Sequence, residues 1–337
     1  MNPRWHPPAS GVIRGCWQLS RGHGPGWDRA TAFAALDRAA GAPGPLVLDC
    51  ADIYTGVERL VGDWLAARNA TARDVVVHTK FVPDLAVLPG IDRGYTRRIV
   101  LRSRERLGVE ALELVQFHWW DFSISGWVRT AEWLAELREE GVVRNIGVTN
   151  FDRQALGTLL DAGIPVVSNQ VQFSLVDRRP RMGLTDLCRE RGVTLLCYGT
   201  LAGGLLTEGA GDSRSMTKYR LIVDEVGGSG VLERCRAVLS DIAGRQGAST
   251  AEAAVAYVLA QPAVGAAIIG LSRRALGVDG QRVRLGRSDI ERLEAAVPNT
   301  VPGAVYEVER DRRGPHARIM RYDLNRGDLP GSGHHDA

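Results

Sequence analysis

Apolar runs of strand length recur along the chain, and most are followed by a stretch with helical spacing. VIRGCWQL precedes DRATAFAALDRAA, LVLDC precedes VERLVGDWLAAR, and DVVVHTK precedes RGYTRRIVLRSRERLG. The alternation continues through LELVQFHWW with WVRTAEWLAELREEG, VVRNIGVTN with DRQALGTLLDAG, and PVVSNQVQ with RPRMGLTDLCRERG, and it closes with VTLLCYGTL and GAAIIG. Eight strands alternating with helices across short loops predict parallel βαβ units. Because the strands are nearly continuous in apolar residues, both faces of the sheet must be covered.

A doubly wound open sheet and a closed eight-stranded barrel both satisfy this pattern. The count of eight favours the barrel, as does the lack of a glycine fingerprint after the first strand. The nearest glycine-rich piece, RGHGPGW (residues 21–27), spaces its glycines at every second position, which does not fit GxGxxG and reads as a turn. The expected fold is an α/β, (β/α)8 TIM barrel with a long loop after strand seven and a C-terminal extension. Residues 1–300 form the barrel and 301–337 the extension in this reading.

That long loop is TEGAGDSRSMTKYRLIVDEVGGSG, residues 207–230. Its apolar centre, Met216 to Ile222, argues for a lid over a ligand and against a linker. From Pro302 the chain holds AVYEVERD and RIMRYDL, which read as ordered, and then the polar GDLPGSGHHDA, which reads as disordered.

Composition narrows the function classes. A 337-residue chain with 45% hydrophobic and 24% charged residues has no run of about 18 apolar residues to span a bilayer. The N-terminus lacks the apolar core of a secretory signal, so a cytoplasmic location is expected. A net charge of +3 with arginines interleaved among acids gives no nucleic-acid or membrane footprint. The five cysteines are scattered, with no CxxC pair or Cys/His cluster, so neither a disulfide framework nor a metal site is expected.

In such a barrel the C-terminal ends of the strands face the reactive side. The polar residues there are Asp49, Lys80, His118, Thr149, Asn150, Ser168, Asn169, Gln170 and Tyr198. Singly, each has a structural explanation: a helix cap, a solvated charge, a hydrogen-bonded core group. Together they are harder to explain, because a barrel has no structural need for Asp, Lys and His on adjacent strands at one end, with Tyr54 arriving from the loop after the second.

DCADIYTGVERLVG resembles the DTADxYG...E...G segment of the aldo-keto reductases. HTK matches the strand that carries the family's lysine, RLGVEALELVQFH the strand that carries its histidine, and GVVRNIGVTNF its GKIRxIGVSNF signature. SNQVQFSLVDRRP followed by GVTLLCYGTLAGGLLT is similar to NQVEYSLLxR...YSPLAGGLLT, and the likeness covers roughly residues 10–275 in register.

The resemblance implies a carbonyl reductase with a tetrad of Asp49, Tyr54, Lys80 and His118. Tyr54 would be the acid that neutralises charge developing on the carbonyl oxygen, Lys80 the cation that tunes its phenol, and Asp49 the partner that holds Lys80. His118 would hydrogen-bond and orient the carbonyl oxygen. The nicotinamide would meet Thr149, Asn150 and Gln170, with Tyr198 stacked on the ring. The glycine-rich segment containing Leu201 and Gly203 would lie along the pyrophosphate, and Ser272, Arg273 and Arg274 would read a 2'-phosphate, which favours NADPH over NADH.

Two departures stand out. Gly199 and Thr200 replace the family's serine and proline, and Asp279 and Gly280 stand where the family has Glu-Asn, so the amide that would contact adenine is missing. Trp17, Phe81, Trp119 and Trp120 at strand ends are expected to make an aromatic pocket rim, suited to a ring-bearing or sugar-like carbonyl substrate. A monomer or weak homo-oligomer is expected. Two other readings remain open: the same tetrad doing acid–base chemistry without net redox, such as dehydration or cyclisation, and a regulatory subunit that senses the cofactor.

Overall fold

The computed structural model describes residues 5–20, 27–42, 44–68, 71, 74–208, 216–271 and 277–325. Eight parallel strands close into a barrel in sequence order: β1 (Val12–Gly15), β2 (Leu46–Asp49), β3 (Val75–Phe81), β4 (Leu112–His118), β5 (Val143–Thr149), β6 (Val166–Gln172), β7 (Thr194–Tyr198) and β8 (Val264–Gly270). The ring is sealed by the β1–β8 pairing, in which Val12 lies opposite Ala267 and Gly15 opposite Gly270. The (β/α)8 barrel expected from the periodicity is therefore the fold of this chain. The turn expected at RGHGPGW lies mostly outside the described residues.

Strand alternation sorts the side chains. Ile13, Val47, Leu114, Leu196, Ala266 and Ile268 fill the barrel interior, and Trp5 packs against His78 with the two rings tilted, 5.8 Å between centroids. Phe81, Phe117, Trp119 and Phe151 alternate outward and pack ring on ring under the helices; Phe81 and Phe117 stack at 5.9 Å between centroids. This corrects the expected pocket rim. Phe81 and Trp119 are 1% and 0% exposed and belong to the layer between sheet and helices, because each directly follows an inward-facing residue, Lys80 or His118.

The outer layer contains α1 (Arg29–Ala40), α2 (Val57–Arg68), α3 (Arg93–Leu107), α4 (Trp127–Glu139), α5 (Arg153–Asp161) and α6 (Leu184–Arg191). Several start on an Asp whose carboxylate accepts the backbone N–H of the third helical position: Asp28 from Thr31, Asp92 from Tyr95, Asp152 from Ala155. After β7 come α7 (Met216–Glu225), α8 (Ser229–Arg245) and α9 (Thr250–Leu259); α10 (Arg287–Ala296) follows β8. No described helix is long and apolar enough to cross a membrane, and no described group of His, Cys, Asp or Glu could hold a metal ion.

The chain then runs back across the C-terminal mouth of the barrel as a short helix, α11 (Glu307–Arg310), a 3-10 turn at Pro315–Ile319 and an extended end. Asn325 fastens that end. Its backbone N–H donates to Asp84, its side-chain amide donates to the Val82 carbonyl at 2.8 Å and to Asp52 at 3.3 Å, and Arg102 donates to its side-chain oxygen. The stretch read as disordered, from Gly327, is outside the described residues.

Helix α2 crosses α3 at Gly62, where an added Cβ would stand 2.2 Å from the Arg106 carbonyl oxygen. Alanine would gain about 1 kcal/mol of helix propensity there, but overpacking against backbone costs about 1–3 kcal/mol and has no side chain to displace. Gly62→Ala is expected to lower the urea midpoint; a raised midpoint would show that the two helices are not in contact at this point.

Candidate active site

Asp49 and His118 end β2 and β4, and Lys80 is the last residue but one of β3 between them. The register places Gly15 beside Asp49, Asp49 beside His78, and His118 beside Thr149. The Lys80 ammonium is 6% exposed and uses all three hydrogens: on Asp49 Oδ2 at 2.6 Å, on the Cys50 carbonyl at 2.8 Å, and on the Tyr54 hydroxyl at 3.3 Å. Burial works against the ammonium charge, yet the Asp49 carboxylate and Tyr54 outweigh it and hold Lys80 above its ordinary value. Asp49 Oδ1 accepts from the Gln116 amide at 2.9 Å and the Gln170 amide at 2.7 Å, so the carboxylate is held on both oxygens. Gln116 was missed in the sequence. Its signal is a glutamine inside an apolar strand two residues before His118, hence on the same inward face.

Tyr54 is half-buried in the loop between β2 and α2. Burial pushes its phenol up to about 12, against the pull of Lys80, so Tyr54 is held as a protonated acid throughout the neutral range. The tuning expected of Lys80 is present as an opposing force that burial exceeds.

His118 is buried, and burial lowers it to about 3, with the charges of Arg310, Lys218 and Lys80 also working against the imidazolium. Its Nδ1 lies 3.2 Å from the Thr149 carbonyl oxygen, which can only accept, so Nδ1 carries the hydrogen. Nε2 of the neutral ring is then a lone pair, buried without a partner among the described residues. This departs from the expected donor role, since a neutral His118 in this tautomer accepts at Nε2.

On the other side of the mouth, Tyr198 donates to Asn150 Oδ1 at 2.9 Å, and the Thr149 hydroxyl donates to the Gln170 carbonyl at 3.1 Å. Gln170 uses its amide hydrogens on Asp49 and Gln116, the latter at 2.8 Å, and its side-chain oxygen takes part in neither bond. Asn150 adopts a left-handed φ of 62°, which turns its side chain toward Tyr198 where an extended residue would continue the strand. A half-buried aromatic ring beside two amide side chains fits an aromatic carboxamide. Leu201 and Gly203 follow in a tight turn, and Tyr219 of α7 lies on it, so close that a Cβ at Gly199 or Gly203 would meet its ring at 2.7 or 2.6 Å.

Ser272, Arg273 and Arg274 lie outside the described residues. Gly280 is described, and a Cβ there would come within 2.6 Å of the Ser10 carbonyl oxygen, so the missing asparagine has no room in this chain. Trp17 is half-buried just after β1, and Trp120 packs edge-on to His118 at 4.4 Å between centroids. Tyr306 of the extension covers His118 from another side at 5.5 Å. Residues of the extension were absent from the expected site, because nothing in their local pattern tells where a tail docks.

Residues 12–277 match the sequence profile described as the aldo/keto reductase family. The chain belongs to that family. It is 30% identical to the chloroplastic pyridoxal reductase of Arabidopsis thaliana over 65% of this chain and 63% of that one, so it spans just under two thirds of that relative. The uncharacterized oxidoreductase YrpG of Bacillus subtilis is 30% identical over 72% of this chain and 78% of its own. Among solved structures, the glycerol dehydrogenase of Gluconobacter oxydans superposes with a TM-score of 0.71 at 24% identity, covering 90% of this chain and 97% of that one, a likeness of fold.

The loop that carries Tyr54 has a sensitive anchor. Asp52, 2% exposed, accepts from the Ile53 and Val82 N–H groups and from Asn325. Burial, aided by Glu58, pushes its carboxyl up to about 7. Between roughly pH 4 and that value the folded chain holds a proton that the unfolded chain releases, so this group's contribution to stability falls as pH rises through the window. Asp52→Asn removes the titration. Its Tm relative to the parent should be more favourable at pH 8 than at pH 5, and a pH-independent difference would contradict the buried-carboxyl account.

Proposed function

We propose that this chain reduces an aldehyde or ketone to an alcohol with NADPH, Tyr54 serving as the general acid. The observation that carries the reading is the Lys80 ammonium bridging Asp49 at 2.6 Å and the Tyr54 hydroxyl at 3.3 Å. A nicotinamide held there would supply hydride to the carbonyl carbon. As charge develops on the carbonyl oxygen, Tyr54 delivers its proton there, and the phenolate left behind faces the Lys80 ammonium, whose own charge is fixed by Asp49. Low exposure makes each of these interactions stronger than in water.

Asn150, Gln170 and Tyr198 would hold the nicotinamide, with Thr149 fixing the turn that presents Asn150. Arg273 and Arg274 after β8 support NADPH over NADH through guanidinium–phosphate pairing. His118, neutral and bare at Nε2, accepts a hydrogen bond from a substrate hydroxyl or a water and closes the wall behind the carbonyl. Trp17, Trp120 and Tyr306 make that wall aromatic, which suits a ring-bearing or sugar-like carbonyl.

Tyr54→Phe should lower kcat for reduction by about 10²–10⁴ while leaving NADPH binding by tryptophan quenching unchanged. Turnover retained in that variant would remove Tyr54 from the acid role. Lys80→Met should lose turnover and also lose about 3–5 kcal/mol of stability in urea, because Asp49 is left buried and unpaired; intact stability would contradict the pairing. The free chain keeps Tyr54 protonated up to about 12 and His118 neutral above about 3. Accordingly kcat/KM for reduction should be level from roughly pH 6 to 9 and fall only in strong alkali, whereas alcohol oxidation should rise over that range. A titration near neutrality in the reduction profile would show that another group supplies the proton.

A further inference from the structure

We propose that Glu309, on the extension, is a positioning residue that closes the substrate half and the cofactor half of the site as one unit; this rests on the hydride-transfer reading above. Glu309 is 1% exposed and sits where three separate parts of the chain meet. Arg179, from the loop after β6, donates to both of its carboxylate oxygens, at 2.8 and 3.0 Å. Lys218 of α7 reaches one of them at 3.3 Å. Arg179 is itself fixed from the opposite side by a second two-pronged pair to Asp177, at 2.9 and 2.7 Å. Two carboxylates and two cations thus balance in a water-poor pocket, where removing one partner leaves the others uncompensated.

The latch reaches both halves of the mouth. Lys218, the α7 end of it, donates to the Tyr198 hydroxyl at 3.4 Å and lies over the rings of Tyr198 and Tyr306. Its neighbour Tyr219 lies on the Gly199–Gly203 turn, along which the cofactor's pyrophosphate is expected to run. Glu309, the extension end, stands three residues after Tyr306, whose ring covers His118. Tyr306 takes a left-handed φ of 63°, a conformation that an aromatic residue holds only when its surroundings impose it. The surroundings are the Glu309 pairs and Arg310, which donates to the Asn150 carbonyl at 2.6 Å and to Asp152 at 3.3 Å while lying over Phe122. A cofactor cannot reach the turn beneath Tyr219 unless α7 lifts, and lifting α7 draws Lys218 off Glu309. That releases one of the contacts holding Tyr306 on His118. Access to the two halves is coupled through one carboxylate.

The test compares full-length parent, Glu309→Gln, Lys218→Met, the double variant and Tyr306→Ala. NADPH dissociation is followed by tryptophan fluorescence in stopped flow, and kcat and KM are measured with one aldehyde that the parent reduces. Glu309→Gln and Lys218→Met should each raise both the NADPH dissociation rate and the aldehyde KM about tenfold or more, with kcat changed far less, and the double variant should be no worse than the single ones. Tyr306→Ala, which keeps the Glu309 ion pairs and removes only the ring that covers His118 and underlies Lys218, should raise KM with a much smaller effect on NADPH release. Additive effects in the double variant, or a KM change with cofactor release untouched, would overturn the coupling. Melting temperatures that fall with all rate constants preserved would make Glu309 purely structural and overturn it as well. If the parent itself shows no saturable NADPH quenching, the hydride-transfer reading fails; if the parent binds NADPH and the variants match it, only the coupling fails.

Discussion

The rest of the site depends on one buried ion pair, Lys80 with Asp49. Taking an ammonium and a carboxylate out of water costs several kcal/mol each, and their mutual attraction offsets this only when the remaining donors and lone pairs are also met. The barrel meets them with the Cys50 carbonyl and the Gln116 and Gln170 amides. Once that cost is covered, the third hydrogen of Lys80 has one direction left, toward Tyr54. The strand ends of β2, β3, β4 and β6 are thereby cross-linked through a single carboxylate, and Gln170 is oriented by the same bonds that complete the ion pair.

A second level of organisation lies above the strand ends. The extension is fastened at Asn325 to Asp52, beside the loop that carries Tyr54, and at Glu309 to Arg179 and Lys218, beside the turn after β7. The barrel supplies the candidate site residues, and the extension lies over His118 among them. This cover adds to the burial that sets two protonation states: Tyr306 lies on His118, which stays neutral, and Asn325 on Asp52, which titrates near neutrality.

The barrel was legible because eight nearly continuous apolar runs of strand length recur, most of them followed by a period-3.6 stretch, and this pattern depends only on neighbours in sequence. Asp49, Lys80, His118, Asn150, Gln170 and Tyr198 were legible because a polar residue closing an apolar strand stands out against its own segment. Phe81 and Trp119 were misplaced because adjacency in sequence was read as adjacency at the mouth, whereas consecutive strand residues point to opposite faces. The tautomer of His118 follows from a backbone carbonyl on the next strand, which no local pattern records. Tyr306, Glu309 and Arg310 were read only as an ordered piece of tail, since the partners they meet across the mouth lie more than eighty residues away and pairing of that range leaves no periodic trace. Gly280 was seen as a lost amide; the Ser10 backbone packed against it gives the steric reason.

The central claim is that this site moves a hydride to a carbonyl carbon while Tyr54 moves a proton to its oxygen. The most direct measurement is single turnover of an aldehyde with NADPH deuterated at the transferring position of the nicotinamide, with the product examined by mass spectrometry. The account predicts an alcohol one mass unit heavier, with deuterium on the carbinol carbon, and a slowed chemical step. A product formed without deuterium, or substrate consumed with the cofactor unoxidised, would contradict it and assign Tyr54 to acid–base chemistry without net redox.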